Sequence, residues 1–170
     1  MPFTPFHFGP AALLKSVAPR HFSFSVFCFA QVVTDIEVIV HMAIRDGALH
    51  RHLHTYMGAT AVGLFSLFAG RPICDLTIRW WHRTPGLPLK EYYDPSPGIS
   101  FAAALTGAFI GTYSHVFLDS IAHPDVMPWA PFHTFNRNYH LIGPGPLHGL
   151  CFVSGVIGAW LCARLPKGKL

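Results

Sequence analysis

Apolar residues run along the chain in four blocks, Phe22 to Ile44, Tyr56 to Gly70, Ile99 to Ala122 and Leu147 to Leu165. Crossing ~30 Å of hydrocarbon takes roughly 20 residues of helix. The first, third and fourth blocks are long enough for this, and the second approaches that length by borrowing Leu53 to Thr55. The pattern therefore predicts an all-α, polytopic membrane protein with about four transmembrane helices, a single integral membrane domain over residues 1–170. Pro2 to Pro19 is apolar but broken by prolines and too short to span, which predicts a short N-terminal re-entrant or interfacial helix after Pro10. Between the second and third blocks, Pro72 to Pro97 carries Trp80, Trp81, Tyr92 and Tyr93 among arginines. That composition suits a segment lying at the headgroups, with one short amphipathic helix around Leu76 to Arg83. From His123 to His148 prolines and glycines are too dense for a long helix.

Composition agrees with a chain surrounded by lipid: 51% of residues are hydrophobic and only 12% charged, with a mean hydropathy of +0.38. The net charge of +4 reads as a topology signal. If the four helices alternate in direction, one side receives Lys15, Arg20, Arg71, Arg79, Arg83, Lys90, Arg164, Lys167 and Lys169, and the other only Arg45, Arg51 and Arg137. The positive-inside rule then makes both termini cytoplasmic, and no nucleic-acid partner is needed to account for the basic excess. The N-terminus lacks the basic region and cleavage site of a signal peptide, so the membrane signal is read as part of the mature chain. Cys28, Cys74, Cys151 and Cys162 form no CxxC pair and read as packing residues.

Against this apolar background the polar positions stand out. In the stretch from Gly111 to Pro124, His115 and Asp119 are four residues apart and share one helical face, with Ser114 and His123 close to it. The first block carries Gln31, Thr34, Asp35, Glu37 and His41. Each ionisable group in hydrocarbon costs about 2.5 to 3.5 kcal/mol on insertion scales, so such groups face an interior and mark function. Glu37 can align with His41 along the helix; Asp35 and Glu37, two residues apart, cannot point along one line. Of the alternating His50, His52 and His54, the last is expected to matter and the others to be loop residues. On spacing alone His7 reads as a polar residue at an exposed terminus, while His123, Asp125 and His148 are candidates for an outer shell. At 1.5 Å per residue, Asp35 and His115 fall roughly 20 and 24 Å into their helices, which sets the polar groups toward the outer face.

His7, Asp35-Ile36-Glu37, His54-Thr55 and Ser114-His115-Val116-Phe117-Leu118-Asp119 with a following proline together resemble the family of bacterial inner-membrane proteins known as membrane-bound metal-dependent hydrolases. Their order is also similar to the ligand order of zinc-dependent phospholipase C. The resemblance implies that His7, Asp35, His54, His115 and Asp119 bind one or two divalent metal ions, zinc first among them. It further implies that Asp119 bridges two ions, that Glu37 is a catalytic base beside it, and that an ester or phosphoester at the bacterial inner membrane, a lipid rather than a polymer, is hydrolysed by a metal-activated water. The chain departs from the family pattern at Glu37, where an aspartate is usual, and at Leu53-His54-Thr55, where Thr-His-Ser is usual. It has no match to the later His-x-x-x-Glu of the phospholipases, since Phe152 follows His148 at that spacing. Beside the bilayer and a lipid substrate, an oligomer or larger complex is a candidate partner. Two other classes fit the same residues: a non-catalytic membrane subunit whose His/Asp cluster holds a structural metal or tethers the helices, and a proton or ion conductor.

Overall fold

The computed structural model describes residues 5–45, 47–88, 90, 95–96 and 98–165. Among them the structure is helical, without strands. A 3-10 turn, Pro5–His7, leads into α1 (Phe8–Val17). There follow α2 (Phe24–Ala43), α3 (Tyr56–Phe65), α4 (Arg71–Arg83), α5 (Phe101–Ala122) and α6 (Pro144–Cys162). Local signals set the starts. Ser23, Thr55 and Ser100 each accept the N–H of the residue three positions on, capping α2, α3 and α5. Pro144 and Pro146 occupy the first turn of α6, where no intrahelical N–H is needed.

Four rods are long and apolar enough to cross a membrane: Phe24–Ala43, Tyr56–Arg83, Phe101–Ala122 and Pro144–Cys162. The second differs from the expected helix ending at Gly70. It continues through a π-turn at Ser66–Gly70 into α4, giving 28 residues of uninterrupted rod. Pro72, which the sequence suggests as a boundary, is accommodated because the ladder widens just before it: the Arg71 N–H bonds to the Ser66 carbonyl, five residues back. The expected amphipathic segment around Leu76 to Arg83 is the distal end of this rod, not a separate helix. Tyr92, Tyr93, Lys167 and Lys169 lie outside the described residues.

Directions follow from which ends touch. α2 and α5 run parallel: Gly107 faces Ser23, Gly111 faces Phe27, and His115 meets Gln31. The α3–α4 rod runs the other way, with Thr60 bonded to Tyr113 near its start and Arg71 to the Ile99 carbonyl further along. α6 descends in the same sense as α1. Cys151 and Gly155 lie against Gly9, and Gly158 lies against Ala12 and Leu13. α1 is the expected short N-terminal helix, although it begins two residues before Pro10, and its half-length course starts inside the bundle. His7 is only 8% exposed. His7 thus lies at the end of the bundle where α2 and α5 finish, whereas Cys162 lies at the opposite end, near Ala12. At the basic end, Lys15 closes the α1–α2 turn by donating to the carbonyls of Pro19 and Phe22.

Many small and polar residues lie in the interior, beside buried Phe27, Val26 and Val116, and many large apolar ones lie on the exterior. Ala30, Ala59, Ala104, Ala108, Thr34, Thr112 and Ser120 are buried, while Ile36, Ile39, Phe68, Phe101, Phe117, Phe152 and Trp160 face outward. This is the arrangement expected where lipid, not water, surrounds the helices and close backbone approach supplies the packing. The tightest approach is between α1 and α6, where a Cβ on Gly9 would sit 1.9 Å from the Cys151 carbonyl oxygen. Gly9→Ala should therefore push α1 off α6 and cost about 1 to 3 kcal/mol, read as a lowered midpoint of thermal unfolding in detergent. Gly149→Ala, on α6 with open space around it, should leave the midpoint unchanged.

Candidate metal centre

Three helices bring Asp35, His54, His115 and Asp119 together. Asp35 comes from the upper part of α2, His54 from the residue before the Thr55 cap of α3, and His115 and Asp119 from successive turns of α5. All four are buried, and one ligand atom from each can be chosen so that all lie within 4.8 Å of one another. His115 Nε2 is 3.0 Å from Asp119 Oδ2 and 3.2 Å from Asp35 Oδ1. His54 Nε2 is 3.5 Å from the same Asp119 oxygen, 3.8 Å from Asp35 Oδ1 and 3.3 Å from His115 Nε2.

The orientation of the two imidazoles is set from behind. His115 Nδ1 donates to the Gln31 side-chain oxygen, and the Gln31 amide donates in turn to the Gly111 carbonyl at 3.1 Å. His54 Nδ1 donates to Glu37 Oε2 at 3.1 Å. With both Nδ1 protons engaged, both Nε2 atoms turn into the cluster and face two carboxylate oxygens. Four electron-rich atoms so close inside a bundle repel unless a cation, a proton or a metal ion, sits among them. Burial alone would lower the His54 pKa, but its hydrogen bonds to Asp35 and Glu37 outweigh that and hold it above the usual imidazole value. Backing each ring with an acceptor is also the device that fixes metal-ligating histidines.

His7 approaches Asp119 from the other side. Its Nε2 is 3.5 Å from Asp119 Oδ1, and its ring meets that of His115 edge-on at 5.0 Å. Burial depresses the His7 imidazole to about 4, despite the pull of Asp119, so the ring is neutral and able to accept a cation. The reading of His7 as an exposed terminal residue does not hold. Asp119 therefore directs one oxygen toward His54 and His115 and the other toward His7, with His123 Nε2 at 4.0 Å from the second oxygen. A cavity of about 250 Å³ opens on this side, bounded by His7, Asp119, His123, Leu147 and His148.

Glu37 occupies a different place from the one expected of a base. Its carboxylate accepts the backbone N–H groups of Arg51 (3.1 Å), His52 (2.7 Å) and Leu53 (3.1 Å) as well as the His54 ring. It staples the α2–α3 connection and aims His54, and stands behind that ring, on its Nδ1 side. His50 also departs from expectation. It is 6% exposed, bonds through Nδ1 to Asp125 at 2.9 Å, and stacks on His123 with ring centroids 4.6 Å apart. Gln31 was visible as a polar residue but not as a site residue; its four-residue spacing from Asp35 is the signal that puts it on the same face.

A family model covers residues 1–165 of the chain. The chain belongs to the DUF4184 family. The family is described as a domain of unknown function, so membership supplies the boundaries of the unit and no activity. No curated protein and no solved structure matches the chain. Within this DUF4184 protein the roles above predict different consequences for two neighbouring carboxylates. If the cluster holds an ion, Asp35→Asn should remove a ligand and abolish its retention. Glu37→Gln should keep the ion but weaken its affinity by about 10- to 100-fold, as read by competition with a chromophoric chelator.

Proposed function

We propose that this protein is a membrane-bound metal-dependent hydrolase of an ester or phosphoester, with a lipid as the substrate class. The observation that carries the reading is the buried Asp35, His54, His115 and Asp119 cluster, whose ligand atoms lie within 4.8 Å of one another, with Asp119 at the edge of a cavity. The donor set fits a divalent ion. Two imidazoles with their Nδ1 protons already engaged, and two carboxylates, suit zinc, and manganese or iron would accept the same set. Asp35, His54, His115 and Asp119 would hold one ion, and His7 with the second oxygen of Asp119 would border it on the cavity side. An ion held there would supply Lewis acidity and lower the pKa of a water toward ~7.

The rest of the work falls to the chain. Asp119 presents one oxygen to the cluster and one to the cavity, which makes it the residue best placed to position a water for the substrate. His7, neutral by burial, can accept a hydrogen bond at Nε2 from a water or a substrate hydroxyl on the cavity side. Leu118, Ala122, Leu147 and Cys151 give the cavity apolar walls, and these limit access of bulk water and favour a substrate arriving from the bilayer. The resemblance to membrane-bound metal-dependent hydrolases, resting on His7, Asp35, His54 and His115-x-x-x-Asp119, supports the same reading. Sidedness is inferred from charge. Lys15, Arg71, Arg79 and Arg164 belong to the end away from the cluster, so the positive-inside rule puts that end in the cytoplasm of a bacterial inner membrane and the cluster toward the outer face.

A second reading is favoured by one observation. Four protein ligands fill a tetrahedron, which is the coordination of a structural ion, and an ion there would tie α2, α3 and α5 together without chemistry. The two separate in an assay. Metal-loaded protein should hydrolyse members of a panel of phospholipids and isoprenoid phosphates, chelation should remove the activity, and added metal should restore it. His115→Ala and Asp35→Asn should be at least 10²-fold slower. Activity in wild type no greater than in His115→Ala across the panel, with metal bound, would leave the structural ion as the better account.

A further inference from the structure

Beside the first cluster lies a second group of ligand-type side chains that the proposed reaction does not use. His50 comes from the α2–α3 connection, His123 from the residue that ends α5, and Asp125 from the turn after it. One ligand atom from each can be chosen so that the three lie within 4.8 Å of one another. We propose that His50, His123 and Asp125 form a second divalent-metal site, distinct from the Asp35, His54, His115 and Asp119 cluster and facing the same cavity.

Three features carry this assignment. The first is chemistry: two imidazoles and a carboxylate are a sufficient protein set for zinc, and three ligands leave a coordination position open to water or to a substrate oxygen. The second is preorganisation, since the group is held from both flanks. Asp125 Oδ2 accepts the backbone N–H groups of Leu49 and His50, each at 3.3 Å, together with the His50 ring. The bond between His50 Nδ1 and Asp125 Oδ2 holds these two ligand atoms 2.9 Å apart, where an ion would take the place of the shared proton. Asn136 ties the segment down by donating to the carbonyls of Ser120 and His123. The third is position. His123 lines the cavity that also exposes Asp119, its Nε2 is 4.0 Å from Asp119 Oδ1, and the His50 ring abuts that of His54 at 4.7 Å.

The two centres differ in accessibility, which sets their order of filling. The side chains of the first cluster are 0 to 7% exposed, whereas those of His123 and Asp125 are 20% and 33% exposed. An ion at the second site is therefore the more exchangeable one, and with its open position it suits an anionic oxygen of the substrate entering the shared cavity. The site stands on its own residues; only this last role rests on the hydrolase reading.

The test counts ions. Detergent-purified wild type, His123→Gln, Asp125→Asn and His115→Ala are loaded with zinc, freed of excess and measured by elemental analysis. Affinities follow from competition with a chromophoric chelator, and Co²⁺ substitution gives a visible spectrum for each centre. Asp125→Asn and His123→Gln should each lose one ion, the weaker, and keep the tight one. His115→Ala should lose the tight ion and keep the weaker, and Asp125→Asn with His115→Ala should bind neither. His123→Gln leaves the His50–Asp125 bond in place, so it reports ligation separately from the loop staple. Wild-type stoichiometry and an unchanged Co²⁺ spectrum in both His123→Gln and Asp125→Asn would overturn the second site. Loss in those two with no change in His115→Ala would keep it and remove the first centre, and with that the basis of the hydrolase reading.

Discussion

Two imidazoles whose Nε2 atoms are 3.3 Å apart, with a carboxylate on either side and no water-rich surface nearby, make a charge arrangement that needs a cation to persist. Much of the upper bundle serves that arrangement. Gln31 and Glu37, on different faces of α2, reach in different directions to hold one ring each. The α2–α3 connection is gathered onto Glu37 through three backbone N–H groups. The end of α5 is closed by Asn136 and by the His140 N–H, which bonds to the Ile121 carbonyl. A buried polar group that is left unsatisfied costs more than a satisfied one gains, so the local geometry of each support is coupled to the others.

The helices can meet at this depth because their contact faces are nearly flat. Gly107 and Gly111 let α5 ride on the backbone of α2, and Gly9 and Gly158 let α1 lie against α6. Bulk is kept for the outside, where side chains such as Phe117, Phe152 and Trp160 meet lipid. Without a hydrophobic driving force between helices, close packing and interhelical hydrogen bonds carry the association. The polar cluster is thus part of what holds the bundle together.

The sequence revealed the helices through their length and hydropathy, and the α5 pair through its spacing, because those depend on residues near one another in the chain. The same rule explains the misses. The rod through Arg83 depends on a π-turn that accommodates Pro72, and hydropathy windows cannot register a change in hydrogen-bond pattern. Glu37 looked like a base because the identity of a carboxylate says nothing about which donors surround it; those donors lie 14 to 17 residues further on. His50 looked like one of three loop histidines, and only its bond to Asp125, 75 residues away in the chain, distinguishes it from exposed His52. His7 could be tied to the others by resemblance but not by spacing, since its neighbours come from α5.

The pairing of α1 with α6 joins the first helix of the chain to the last. During synthesis, α2, α3 and α5 can assemble their polar centre before α6 has been made, and α1, at ten residues, is too short to span on its own. Its main packing surface exists only once translation has reached Gly158. The open side of the centre, where His7 and Leu147 meet, is therefore walled last. In a nascent chain that side of the cluster stays accessible until α6 has been made and paired with α1.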